Sequence, residues 1–98
     1  VVGNNSAMNM IRYAQMVRYG DKNGTGTLLS DLSYGKFAEM LGGYGEEVHR
    51  PEDIAAALRR GREAVAATGR CAVINIWVDS QVWSPGTMAR LKARMERG

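Results

Sequence analysis

The residues of this chain whose types and spacing could do chemistry stand at its start, in Val1-Val2-Gly3-Asn4-Asn5-Ser6-Ala7. An apolar run that stops at Gly-Asn-Asn has the form of a parallel strand delivering polar groups to the carboxyl edge of a sheet, where doubly wound folds bind ligands. The same pair of asparagines also suits a plain turn that satisfies its own backbone. Other candidates carry less. His49 stands alone and reads as a structural or surface histidine, and the single Cys71, inside an apolar run, reads as a buried structural thiol with no disulfide partner in the chain. The glycine-rich stretch 20–27 (GDKNGTGT) has neither a Walker lysine-serine pair nor GxGxxG spacing, so it reads as a solvated loop rather than a phosphate cradle. Arg90, Lys92, Arg94 and Arg97 face only Glu96 near the end, which fits a solubilising surface helix or a basic lid over a phosphorylated substrate.

The elements that must position the Asn-Asn loop follow from periodicity. Val1-Val2 reads as the second half of a strand, so the chain is expected to be a piece of something larger. Residues 8–19 (MNMIRYAQMVRY) have helical propensity but are apolar on more than one face, as suits a segment covered by other protein. Asp31 and Ser33 offer caps for a core-facing helix through Leu41, with Tyr34, Phe37, Ala38 and Leu41 at helical spacing and Gly42-Gly43 as its end. Residues 46–49 suit a short edge strand. Pro51 with Glu52 and Asp53 starts the clearest helix, which carries Ile54, Leu58, Gly61 and Val65 on one face and ends near Gly69. The run 71–78 (CAVINIWV) is continuously apolar and β-branched, the pattern of a strand covered on both faces and hence of a parallel sheet. Pro85-Gly86 reads as a turn before a charged helical stretch over 90–97. The expected division is a domain over 1–79 and a tail or lid over 80–98.

Composition excludes several classes. Ninety-eight residues allow one small domain, with roughly 60 to 70% of the unfolded surface buried on folding. The hydrophobic fraction of 45% and charged fraction of 23% are those of an ordinary globular protein, and no apolar run approaches the roughly 20 residues that span a membrane. No secretory signal is visible, which makes a soluble, cytoplasmic setting the expectation. The net charge of +3 gathers near the end and no basic patch interleaved with aromatics crosses the rest, which argues against nucleic acid.

Taken together, VVGNNSAMN, YGKFAEMLGGYGEEV, HRPEDIAAAL and CAVINIWVD, in that order and spacing, resemble the carboxyl-terminal third of thiamine diphosphate-dependent enzymes of the acetolactate synthase-like group. That group also holds oxalyl-CoA decarboxylases and 2-hydroxyacyl-CoA lyases, and the resemblance covers roughly residues 1–87. It implies an α/β fold with a partial doubly wound, Rossmann-like parallel sheet flanked by helices. The family's diphosphate-binding signature begins with Gly-Asp-Gly and ends downstream in Asn-Asn, and only the second half is present here. By position, the resemblance gives Asn5 as a Mg²⁺ ligand through its side-chain oxygen and Ala7 as a second through its carbonyl. Asn4 would shape the turn, and Asn5, Ser6, Ala7 and Met8 would contact the cofactor. Hard oxygen donors suit an octahedral cation that also binds phosphate oxygens.

What the resemblance implies about chemistry is a carbon-carbon lyase or carboligase acting on a 2-keto acid or a 2-hydroxyacyl-CoA, with thiamine diphosphate and Mg²⁺ as cofactors. The cofactor attacks a carbonyl carbon and takes up the electrons released there; the protein positions. The activating glutamate of this family belongs to another domain of a partner subunit, so no residue here is assigned a catalytic role. The expected partners are the small-molecule substrate, the remaining domains of the same enzyme and a second subunit in a dimer or tetramer, and the 98-residue chain alone is not expected to be active. The reading from another class is a non-catalytic α/β module that binds a partner through the apolar face of residues 8–19.

Overall fold

A computed structural model describes residues 1–20 and 23–97, so the part of the 20–27 loop at positions 21 and 22 lies outside the described residues. The elements run β1 (Val2–Asn4), α1 (Asn9–Tyr19), α2 (Tyr34–Met40), β2 (Tyr44–Val48), α3 (Ile54–Thr68), β3 (Ala72–Trp77) and α4 (Pro85–Arg97), with a 3₁₀ turn at Pro51–Asp53 leading into α3. The architecture is α/β, a small open parallel sheet flanked by helices, as the apolar run at 71–78 and its helical neighbours predict. The chain forms two compact units: Val1–Asn4 with Asp31–Val78, and Asn5–Ser30 with Asp79–Gly98.

The first unit holds the sheet. The strand order is β1-β3-β2, every pairing is parallel, and β3 is central. Side chains alternate across it as strand geometry requires. On one face Val48, Ile74 and Ala57 of α3 form the buried core, with Tyr44, Ile54 and Ile76 packed against them. Gly61 lets α3 lie close: a Cβ there would stand 3.0 Å from Ile74 Cδ1. On the other face α2 approaches β2 so closely that a Cβ on Gly45 would fall 1.8 Å from the Gly35 carbonyl oxygen. That contact admits only glycine. Ser33 caps α2 by accepting from the Lys36 N–H at 3.2 Å.

Several sequence expectations change here. The face predicted to bury α2 does so only in part: Ala38 is buried and Tyr34 half-buried, whereas Phe37 and Leu41 are exposed and Gly35 is buried beside Ala38, because the close approach of Gly35 to Gly45 sets the orientation of this short helix. In α3 the buried stripe is Ala57 and Gly61 instead of Leu58 and Val65, since small residues let the helix approach the sheet. Cys71 is exposed, because β3 begins one residue later and leaves it at the strand's entry. The edge strand begins at Tyr44, two residues before the predicted start. The central strand is not wholly apolar where it is most buried: Asn75 is fully buried, and the reason is the carboxylate described below.

The second unit holds α1 and α4. Helix α1 ends on Gly20 in the left-handed conformation, the usual stop for a helix at that position. Residues 85 and 86, predicted as a turn, open α4, which suits Pro at a first-turn position. Arg12 on α1 is buried beneath Trp83, its guanidinium carbon 6.0 Å from the ring centroid, and Tyr13 meets the same ring at 6.3 Å. Asn9 Nδ2 donates to the Ser80 carbonyl at 3.0 Å and Arg94 Nε to the Val17 carbonyl at 2.6 Å. The expectation that residues 8–19 carry more than one apolar face holds: Met8, Met10, Ile11 and Tyr19 are all exposed. No helix among the described residues is long and apolar enough to cross a membrane.

Candidate functional site

The sheet's carboxyl edge is built by Asn4, Trp77 and Val48 at the ends of the strands. Asn4 is 7% exposed; its carbonyl accepts from the Val78 N–H at 2.9 Å, and its Nδ2 donates to the Leu32 carbonyl at 2.9 Å. The residue predicted to shape the turn therefore fixes where the chain leaves β1.

Within the second unit, Asn5, Ser6, Ala7 and Met8 form one continuous turn. Asn5 Oδ1 accepts from the Ala7 N–H at 3.2 Å, so the side chain closes an Asx-type turn on its own loop. Ser6 has φ of 51°, the single positive φ at a non-glycine among the described residues, a sparsely populated conformation of the kind that collects at ligand loops. The Ser6 carbonyl accepts from the Leu29 N–H at 2.8 Å and the Met8 N–H donates to the Thr27 carbonyl at 2.8 Å, with Ala7 lying opposite Leu28 as an antiparallel bridge. In that pattern Ala7 is the non-hydrogen-bonded member of the pair. Among the described residues its carbonyl accepts no hydrogen bond.

Helix α1 starts one residue later. Met8 stands at its N-cap with no side-chain cap hydrogen bond, and the first turn has no acidic residue. The amides of Asn9 and Met10 are thus presented at a positive helix end, which attracts anions. These amides, absent from the sequence reading, are better placed as donors than Ala7 and Met8, whose N–H groups are already engaged. A carbonyl unpaired among the described residues, a neutral amide oxygen and a helix end without a side-chain cap form a donor set that would suit a hard divalent cation and a phosphate. No group of three His, Cys, Asp or Glu able to hold a metal occurs among the described residues. His49 is exposed and stacks on Trp77 with centroids 6.0 Å apart, as fits a surface histidine.

Glu47 is the residue that sequence reasoning missed. It sits on β2 opposite Asn75 and accepts from the Ser33 hydroxyl, the Gly35 N–H at 3.0 Å, Asn75 Nδ2 at 2.5 Å and Trp77 Nε1 at 2.9 Å. Burial pushes its pKa up, but the four donors outweigh that and hold it below the usual carboxylate range. On the opposite face of β2, Glu46 pairs with Arg60 of α3 and accepts from the Tyr44 hydroxyl at 2.7 Å. The Arg60 guanidinium lowers the Glu46 carboxyl, and the Glu46 carboxylate in turn raises the Tyr44 hydroxyl. The signal that could have found Glu47 is its place: a carboxylate between Gly45 and Val48 in a strand whose partner carries an asparagine.

A model of the C-terminal TPP binding domain of thiamine pyrophosphate enzymes matches residues 1–76. The match spans the sheet, both helices that flank it and the Asn-Asn loop, and ends inside β3. The chain belongs to the thiamine pyrophosphate enzymes, as their C-terminal TPP-binding domain.

Proposed function

We propose that this chain holds the diphosphate end of thiamine diphosphate through a Mg²⁺ ion, within a carbon-carbon lyase or carboligase of the acetolactate synthase-like group. The observation that supports the reading is the Asn5–Ala7 turn: an amide oxygen and, two residues on, a carbonyl without a partner among the described residues, directly before the uncapped end of α1. In this reading Asn5 Oδ1 and the Ala7 carbonyl hold the metal, and the backbone of Ser6 with the α1 amides faces the phosphates. Met8, whose N–H is engaged by Thr27, contributes its exposed side chain. The bound cofactor supplies an electron sink for cleavage or formation of a bond next to a carbonyl. This chain's part in the reading is to hold and orient it. The rest of the pocket comes from other domains of the same enzyme and a second subunit.

The test is calorimetric titration of thiamine diphosphate into the enzyme carrying this domain, with and without Mg²⁺, for wild type and Asn5→Ala. The expected result is a loss of Mg²⁺-dependent affinity of about tenfold or more. Unchanged affinity at limiting Mg²⁺ would remove Asn5 from the metal site.

A second reading within the group is a 2-hydroxyacyl-CoA lyase. It draws on a groove of about 720 Å³ in the second unit, lined by Tyr13, Val17, Ala89 and Ala93 and by Arg90, Arg94 and Arg97. Guanidinium groups at that spacing suit the several phosphates of a CoA thioester. Competition between CoA and an acyl-CoA substrate for the enzyme, weakened by Arg94→Ala, is the outcome this reading requires.

A further inference from the structure

We infer that Glu47 is a positioning residue for the cofactor loop, acting through Asn4; the inference rests on the reading of residues 5–8 given above. Asn4, Trp77, Asn75 and Glu47 lie on the same face of the sheet, since parallel register pairs Asn4 with Trp77 and Glu47 with Asn75. Glu47 has no cationic partner among the described residues. Its charge is met instead by four neutral donors from two places: Ser33 and Gly35 at the start of α2, and Asn75 and Trp77 on β3. Two of those donors bracket the start of α2, and the residue before Ser33 is Leu32, whose carbonyl receives the Asn4 side chain. Asn75 Nδ2 also leans toward that carbonyl, at 3.5 Å.

The network has a direction. Asn75 is fully buried, yet its Oδ1 has no partner, a costly arrangement for an amide. Its orientation is imposed by the need to donate to Glu47 and Leu32. The carboxylate thus fixes residues 32–35, residue 32 fixes the Asn4 amide, and Asn4 is the last residue of β1 before Asn5. A carboxamide at position 47 would carry one acceptor oxygen where four donors converge, and would turn an N–H₂ toward the others. The Leu32 carbonyl would lose its fixed place, and with it the anchor of Asn4.

The test is a double-mutant cycle in the enzyme carrying this domain, read as affinity for thiamine diphosphate at limiting Mg²⁺ at a temperature where every variant is folded by circular dichroism. Glu47→Gln is expected to weaken binding about tenfold alone and less than twofold in an Asn4→Ala background, the coupling expected of networked neighbours. Equal losses in both backgrounds, or full affinity in folded Glu47→Gln, would overturn the inference. Glu46→Gln, which breaks the Arg60 pair on the other face of β2, is expected to leave affinity unchanged; a loss as large as that of Glu47→Gln would mean generic destabilisation and overturn it too. Should Glu47→Gln not fold, Trp77→Phe removes a single donor and replaces it in the cycle. Its expected loss of about threefold disappears with Asn4→Ala, and persistence there counts against the inference. Asn5→Ala, run alongside, separates the two claims. A Mg²⁺ dependence untouched by Asn5→Ala overturns the loop reading and this inference with it, whereas a dependence lost in Asn5→Ala but intact in Glu47→Gln overturns this inference alone.

Discussion

At the scale of single residues, the chemistry of Glu47 sets an acid limit on the fold. Its carboxyl titrates below the ordinary range when folded, because four donors favour the charged form more than burial disfavours it. A depressed folded pKa gives stability that is fully present above the unfolded value of about 4.3 and is lost as pH falls through the folded value. Glu46 is depressed by Arg60 and acts in the same direction. Denaturant midpoints measured from pH 7 to pH 3 are therefore expected to fall on the acid side. The fall should be shallower in Glu47→Gln, which starts about 2 to 4 kcal/mol lower because it leaves buried donors unmatched. An equally steep fall in that variant would place the acid sensitivity elsewhere. Cys71 offers a simpler check: the exposed thiol is expected to react with a thiol reagent in the native protein without denaturant, and protection would contradict its place ahead of β3.

At the scale of elements, the two faces of the sheet make different demands. Between α2 and β2 the Gly35–Gly45 contact is backbone on backbone, so Gly45→Ala forces the helix away from the strand and is expected to cost about 3 kcal/mol or more. Between α3 and β3 the neighbour of Gly61 is the flexible end of Ile74, so Gly61→Ala is expected to stay within about 1 kcal/mol of wild type, overpacking being offset by better helix propensity. Chemical denaturation of the two variants side by side checks both, and equal costs would mean that the helices do not sit as described. The elements themselves were legible from sequence: β3 from its β-branched run, α3 from Pro51 with Glu52 and Asp53, α2 from Ser33 and Gly42-Gly43. The buried faces were legible only in part: Ala38, Ile54 and Gly61 turn inward as their spacing predicts, but Phe37, Leu41, Leu58 and Val65 have the right spacing and the wrong bulk for a close approach decided by Gly35, Ala57 and Gly61.

At the scale of the whole molecule, the charge of +3 is carried largely by the last helix, where Arg90, Arg94 and Arg97 line a groove together with Tyr13, Val17, Ala89 and Ala93. Duplex DNA is accordingly expected to show no retardation by the protein at about 150 mM salt, since a long salt-dependent phosphate interface is missing among the described residues. Sequence alone determined the family, the order of strands and helices, and the Asn-Asn loop, because these are written in local pattern: periodicity, caps and adjacent residue types. The Ala7 carbonyl without a partner among the described residues, the strained Ser6 and the convergence of Ser33, Gly35, Asn75 and Trp77 on Glu47 were decided by tertiary structure. The physical reason is that a hydrogen bond between residues 28 or 30 positions apart has no signature in the residues between them, and exists only where strand register and the seat of a helix bring its two ends together.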